Sequence, residues 1–330
     1  MNTLIFTCGD VNGIGPEITL KTIGKIINPA KRRIIFLCPA NVFEKAASIV
    51  NPHFPFQIIR SKESIQDSAH TVFVYDFEKV KQDIGGPTKA SGVCSANAIE
   101  LSYEIASTTH DSAIITAPIS KTAFKLAGIK YPGQTEYYAK LAGSDKYLMT
   151  FLSKKLICAL QTIHVPITKV SKQLSKEKIT ETIEILFASL LRDLGIKNPT
   201  IGILGLNPHA GEEGRIGEEE VNIIAPAIKS LRRKEIAGPF VPDAYFATKR
   251  FEEFDATLGM YHDQVLIPFK MLCFDKGVNF TAGLSIVRTS PDHGTAYDIA
   301  DLGLADPHSM IEAAHWAEKI IANRKKYDGK

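Results

Sequence analysis

The chain lacks most of the signatures that give a function away. Its five cysteines, at positions 8, 38, 94, 158 and 273, are odd in number and far apart, with no CxxC pair. That disfavours a disulfide framework and predicts buried free thiols in a reducing compartment. No apolar stretch approaches the ~18 residues a spanning helix needs, so no membrane partner is expected. Met1–Thr7 has no basic leader and runs into Cys8-Gly9-Asp10 too soon for a signal peptide, and a cytoplasmic protein is expected. No charge dominates: 39 Lys and Arg stand against 36 Asp and Glu, a formal charge of +3. The basic clusters Lys31-Arg32-Arg33, Arg232-Arg233-Lys234 and Arg324-Lys325-Lys326 are short and scattered. They read as solvated surface, and a nucleic-acid partner is not expected. A GxxxxGK[ST] loop is missing, which disfavours a P-loop ATPase, and neither a GxSxG elbow nor a cysteine-protease signature points to a hydrolase. Internal repeats, low-complexity tracts and Ser/Gly/Pro linkers are also missing, so any domain division runs through ordered segments.

What is present is ordinary globular composition: 330 residues, 45% hydrophobic, 23% charged and 8% aromatic. At about 150 residues per domain, that length suggests about two domains or one large α/β domain. Candidate strands are Thr3–Thr7, Ile34–Leu37, Val72–Tyr75, Ala113–Thr116, Leu156–Thr162, Thr200–Leu206 and Ala256–Tyr261. Several are apolar throughout, as strands covered on both faces are. Helical patterns lie between them. From Ser175, a natural N-cap, Ile179, Ile183, Leu186, Phe187, Leu190, Leu191 and Leu194 recur at helical spacing, and Gly195 supplies the stop. Strand and helix in alternation predict an α/β fold with a mostly parallel sheet.

Nearly every cluster of Gly, Pro, His and Asp follows a candidate strand directly. Thr3–Thr7 runs into the turn at residues 9–17, Ala113–Thr116 into Ala117-Pro118-Ile119-Ser120-Lys121, and three further strands into His164, His209 and His262. Carboxyl ends of strands form the ligand crevice of open α/β sheets. Three neutral imidazoles on strand ends therefore predict a catalytic metal site with open positions. Their wide separation excludes a zinc finger or an HExxH helix. His53, His70, His110, His308 and His315 lack this context and read as structural or surface residues.

The turn containing Gly13 and Gly15 resembles a phosphate cradle, and a tight strand-to-helix connection with Pro16 at the helix start explains it nearly as well. Lys121, Lys270, Asn279 and Arg288 carry donors suited to anionic oxygens, although each is equally at home on a surface. The segment 287–296 has neither strand nor helix period and reads as an irregular binding stretch.

Taken together, GDVNGIGPE (9–17), TAPISK (116–121), YPGQTEYYA (131–139), GLNPHAGEEGRIGEEE (205–220), YHDQ (261–264) and RTSPDHGTAYDIA (288–300) resemble the 4-hydroxythreonine-4-phosphate dehydrogenase family of pyridoxal phosphate biosynthesis. The motifs stand in the family's order and cover essentially the whole chain. GIGPE and HGTAYDIADLGLADP (293–307) also look like segments of isopropylmalate and isocitrate dehydrogenases. The resemblance implies that α/β fold, with two α/β/α subdomains flanking an active-site cleft. Residues 1–125 plus 278–330 are then the nucleotide-binding subdomain, and 126–277 the metal-binding and dimerisation subdomain.

By the same resemblance His164, His209 and His262 match metal ligands, in an active site at the interface of a homodimer. Gln134, Thr135, Lys270, Asn279 and Arg288 match substrate-binding positions. Asp292, His293, Gly294 and Thr295, with Gly13 and Gly15, look like the cofactor segments. Asp243 and Lys270 are the candidate catalytic pair, Asp243 because the family carries an aspartate there. The implied cofactors are NAD or NADP and one divalent metal (Zn, Co, Mg or Mn). The implied reaction is oxidation and decarboxylation of 4-phosphohydroxy-L-threonine to 3-amino-2-oxopropyl phosphate. Two departures stand out: Gln134 replaces the family's histidine, and Val265 replaces its usual glycine. A glutamine keeps hydrogen bonding and loses the titratable charge. Gln134 thus leaves room for a relative acting on D-threonate or D-erythronate 4-phosphate. A phosphate acyltransferase or a catalytically decayed binding protein are the alternatives of another class.

Overall fold

The computed structural model describes residues 1–62, 65, 71–274 and 276–329; His70 lies outside them. The chain divides into two compact units, Met1–Asp145 with Leu284–Lys325 and Lys146–Gly283 with Lys326–Lys330. The first opens with β1 (Asn2–Thr7), α1 (Gly15–Ile26), β2 (Arg32–Leu37), α2 (Ala40–Val50), β3 (Gln57–Ile59), β4 (Val72–Tyr75), α3 (Lys89–Thr108), β5 (Ser112–Thr116), α4 (Lys121–Leu126) and α5 (Gln134–Leu141). The second holds β6 (Leu148–Leu152), β7 (Ile157–Leu160), α6 (Ile167–Gln173), α7 (Lys176–Arg192), β8 (Ile201–Leu204), α8 (Ala225–Ser230), β9 (Ile236–Phe240), α9 (Pro242–Ala247), β10 (Ala256–Gly259), α10 (His262–Cys273) and β11 (Val278–Ala282). The chain then returns through β12 (Val287–Pro291) and α11 (His308–Asp328).

In the first unit the strands lie in the order β3-β4-β2-β1-β5-β12, and every neighbouring pair is parallel. Parallel neighbours need crossover connections, and α1, α2 and α3 lie in those that follow β1, β2 and β4. Leu4, Ile5 and Phe6 of β1, Ile34–Leu37 of β2 and Ala113–Ile115 of β5 are buried, as unbroken apolar strands covered on both faces must be. In the second unit the order is β11-β6-β7-β10-β8-β9. There β11, β6 and β7 pair antiparallel, while β7, β10, β8 and β9 run parallel. Helix α7 starts as its sequence predicts: the Ser175 hydroxyl accepts from the Lys178 N–H at 3.3 Å, and Ile179, Ile183, Leu186 and Leu190 are buried. All five cysteines are buried free thiols. Among the described residues no helix is long and apolar enough to cross a membrane.

The expected irregular stretch at 287–296 begins instead as strand β12, paired with β5 and buried at all five residues. Its periodicity is hidden because both faces are covered and its polar side chains find partners. Thr289 donates to the Ala313 carbonyl at 2.9 Å, and Arg288 donates to Thr116 at 2.7 Å. Strands β3, β6, β9 and β11 also escape the sequence pattern. The sequence of β9 contains Gly238 and Pro239, which read as a loop; its place at the end of the strand order is where a sheet tolerates them.

Leu258 is fully buried on β10, between β7 and β8. Replacing it with alanine is expected to cost about 3 kcal/mol, read as a lower urea midpoint for the second unit.

Candidate active site

Parallel strands deliver their following residues to one edge of a sheet. In the second unit β7, β10, β8 and β9 are consecutive neighbours, and His164, His262, His209 and Asp243 follow their respective carboxyl ends. The His164 and His262 rings stand 5.7 Å apart by centroid. Two imidazoles bound to one ion at about 2.0–2.1 Å from nitrogen have centroids no more than roughly 6.5 Å apart, so this pair suits a shared metal. His262 opens α10, and its Nδ1 meets Asp263 Oδ1 at 2.7 Å, which leaves Nε2 as the ring nitrogen available to a ligand. His209 is exposed and is not gathered with them. Among the described residues, no three His, Cys, Asp or Glu side chains stand close enough to hold a metal ion. Asp243 is exposed in the first turn of α9.

His209 rides on an unusual backbone. His209, Ala210, Gly211, Glu212 and Glu213 have φ of 53°, 50°, 77°, 44° and 57°, a continuous left-handed run. Each non-glycine residue held there costs roughly 1–2 kcal/mol, so the turn must be held by its surroundings. Glu220 holds it. Its carboxylate is buried and accepts the Leu206 and Asn207 backbone N–H groups at 2.6 and 2.7 Å and Asn207 Nδ2 at 2.9 Å. Gly211 is required here, since a Cβ would lie 2.6 Å from Glu220 Oε2. Gln264 ties the neighbouring strand ends together: Nε2 donates to the Gly205 carbonyl at 2.6 Å, and Oε1 accepts from the Met260 N–H at 2.7 Å. Val265, the second departure from the family pattern, is buried against Gly259 in the core. Lys270 is half-buried on α10, and Asn279, on β11, has a buried Oδ1 with no hydrogen-bond partner.

The first unit gathers another part of the candidate set. Arg288 on β12 is 3% exposed. Its Nε and Nη2 donate to Thr116 Oγ1 at 3.1 and 2.7 Å, and Nη1 to Thr135 Oγ1 at 3.4 Å. The guanidinium carbon also lies 5.8 Å from the Tyr138 ring centroid. Burial pulls its pKa down to about 10, the signature of a desolvated cation that an arriving anion stabilises. Gln134, the first residue of α5 and the sequence neighbour of Thr135, is buried and donates from Nε2 to the Ala117 carbonyl at 3.0 Å.

The expected cofactor segments also meet within this unit. The Ile14 N–H donates to the Thr295 carbonyl at 3.0 Å, and a Cβ on Gly13 would lie 2.6 Å from that oxygen. Gly15 begins α1. Asp292 is held by its N–H on Ser309 Oγ at 3.1 Å, while His293 and Gly294 are exposed. Beneath them Asp10, fully buried, accepts from Tyr297 Oη at 2.8 Å, Ser91 Oγ at 3.0 Å and the Asn12 N–H at 3.0 Å. Burial raises its pKa above the usual carboxylate range.

Sequence reasoning passed over Glu220, Gln264 and Asp10. Glu220 closes a run of three glutamates that looks like solvated surface. The available signal was the density of Gly, Asn and Pro just before it, which marks a strained turn in need of an internal acceptor.

The pyridoxal phosphate biosynthetic protein PdxA family model matches residues 30–317. A 4-hydroxythreonine-4-phosphate dehydrogenase from Sulfurihydrogenibium sp. (strain YO3AOP1) is 40% identical over 330 residues, covering 98% of this chain and 100% of the relative. The crystal structure of 4-hydroxythreonine-4-phosphate dehydrogenase from Klebsiella pneumoniae superposes with a TM-score of 0.83 at 33% identity, covering 97% of this chain and 98% of that one. Isocitrate dehydrogenase from Methylococcus capsulatus shares the fold, with a TM-score of 0.52 at 12% identity over 98% of this chain and 87% of that one.

Replacing Glu220 with alanine strips three donors of a buried acceptor, and a loss of about 3 kcal/mol is expected. Hydrogen exchange of the 205–217 amides is expected to accelerate, with the change confined to that loop.

Proposed function

The chain belongs to the pyridoxal phosphate biosynthetic protein PdxA family, and we infer from that membership that it oxidises and decarboxylates 4-phosphohydroxy-L-threonine to 3-amino-2-oxopropyl phosphate. The observation that carries the site is the set of three histidines at the carboxyl ends of the neighbouring parallel strands β7, β10 and β8. The acyltransferase and non-catalytic alternatives gain no support, since the relatives compared above are named as dehydrogenases. A cytoplasmic location suits such an enzyme.

His164, His262 and His209 are the proposed ligands of a divalent ion (Zn, Co, Mg or Mn). Gly13, Gly15 and Asp292–Thr295 are the proposed contacts of NAD or NADP. When bound, the ion supplies Lewis acidity at the substrate oxygens and the dinucleotide supplies the hydride acceptor. The chain's own residues do the rest. Arg288 and Thr135 hold an anionic end of the substrate, and Lys270 and Asn279 bind and orient it. Asp243 takes the proton of the C3 hydroxyl as the C3 hydrogen departs as hydride. The resulting 3-oxo acid loses its carboxylate as CO2, and Lys270 returns a proton to C2. Asp263 keeps the His262 ring in one tautomer throughout.

A homodimer with the active site at its interface is part of this proposal. Ile267, Met271 and Phe274 are 58%, 82% and 80% exposed, at helical spacing along and just beyond α10. An exposed apolar stripe of this kind suits a second copy of the chain. The double variant M271E/F274E is expected to sediment as a monomer where the wild type sediments as a dimer.

Activity tests the function directly. Metal-stripped protein is expected to form no NAD(P)H from 4-phosphohydroxy-L-threonine until a divalent ion is restored, and Arg288→Met to raise KM by about 10- to 100-fold. Metal-independent turnover would overturn the metal assignment. Turnover confined to D-threonate or D-erythronate 4-phosphate would move the same chemistry to a related substrate.

A further inference from the structure

Gln134 fixes the polarity of one contact. It is 9% exposed, and its Nε2 donates to the Ala117 carbonyl at 3.0 Å. A carbonyl only accepts, so the amide orientation is set: the nitrogen faces Ala117 and Oε1 faces the other way. Oε1 is buried and has no hydrogen-bond partner. A buried acceptor left unsatisfied is destabilising, and native structures keep few of them without a functional reason. The segments that hold this amide also hold the buried guanidinium. Ala117 follows Thr116 and Thr135 follows Gln134, and both threonine hydroxyls accept from Arg288.

Arg288 can only donate and Gln134 Oε1 can only accept, so the two read opposite chemistry. We propose that Gln134 is a specificity-determining residue whose Oε1 receives a hydrogen-bond donor of the substrate, an ammonium or a hydroxyl, while the anion is left to Arg288. The assignment rests on the dehydrogenase function proposed above and deepens it. It also accounts for a glutamine at this position. A neutral imidazole donating to Ala117 from one nitrogen offers a bare acceptor on the other, and the amide reproduces that polarity without a titratable charge.

Calorimetric titration of 4-phosphohydroxy-L-threonine, D-erythronate 4-phosphate and sulfate into wild type, Q134M and Q134H at pH 8 tests this, with initial rates alongside. Sulfate carries no donor and reports the anion contact alone. Q134M keeps the side-chain length and removes the acceptor, and Q134L serves if Q134M does not fold. The expected result for Q134M is substrate binding weakened about tenfold or more, with sulfate within about twofold of wild type. Q134H, neutral at pH 8, is expected to stay within about threefold on every ligand. A loss confined to the amino-acid substrate assigns the donor to its ammonium, and an equal loss with the sugar acid assigns it to a shared hydroxyl. Sulfate weakened in step with substrate, or unchanged substrate binding in Q134M, overturns the assignment. Wild type that shows the binding pattern without NAD(P)H formation overturns the dehydrogenase function and leaves the Gln134 contact standing.

Discussion

Parallel strand pairing is the constraint on which the rest of this protein depends. Strands that run together end together, and neighbours lie about 4.8 Å apart. In the second unit β7, β10, β8 and β9 are such a set. Segments separated by dozens of residues in the chain are thereby set side by side. Strands β7, β10 and β8 are largely apolar and buried, so polar chemistry finds little place along them and collects in the loops beyond. The loops that carry His164, His262, His209 and Asp243 follow neighbouring strands for this reason, without any short-range motif, and the rings of His164 and His262 come together.

A strand end fixes a residue's place and leaves its direction open. Direction comes from hydrogen bonds that lock the loops carrying His209 and His262. Glu220 gives three donors of the His209 loop a common acceptor, which offsets the strain of the left-handed run from His209 to Glu213. Gln264 stitches the loop after β8 to the loop after β10, using both ends of its amide. Asp263 fixes the His262 ring. Most of these bonds run from side chain to backbone, Asn207 Nδ2 to Glu220 joins two side chains, and a loop held in this way keeps its shape before a ligand arrives. That is the preorganisation that metal and transition-state binding call for.

The first unit shows the same design with a different chemistry. Burying a guanidinium is costly, and Arg288 is held among the Thr116 and Thr135 hydroxyls and the face of Tyr138. A cation desolvated to this degree is already prepared for an anion, because most of the cost of removing water has been met in folding. Asp10 is its counterpart beneath the expected cofactor segments. As a buried carboxyl it ties Tyr297, Ser91 and the Asn12 backbone into one hub, so the turn around Gly13 and the loop around Thr295 keep a fixed relation.

The sequence by itself determined the α/β class, the apolar strands β1, β2, β4, β5, β7, β8 and β10, the capped helix α7, the buried free thiols and the strand-end position of the three histidines. These follow from periodicity, capping and turn chemistry, which act over a few residues and are written locally. Motif resemblance added the family. Strand order, and with it which histidines become neighbours, was decided only in the tertiary structure, because pairing joins residues that no local pattern relates. The burial of β12 was hidden for the same reason, since its polar side chains look like a loop until Thr116 and the Ala313 carbonyl stand opposite them. Glu220 looked like surface charge, and Gln134 looked like a lost histidine. Burial and the direction of a hydrogen bond give both residues their meaning, and these exist only once distant segments have packed.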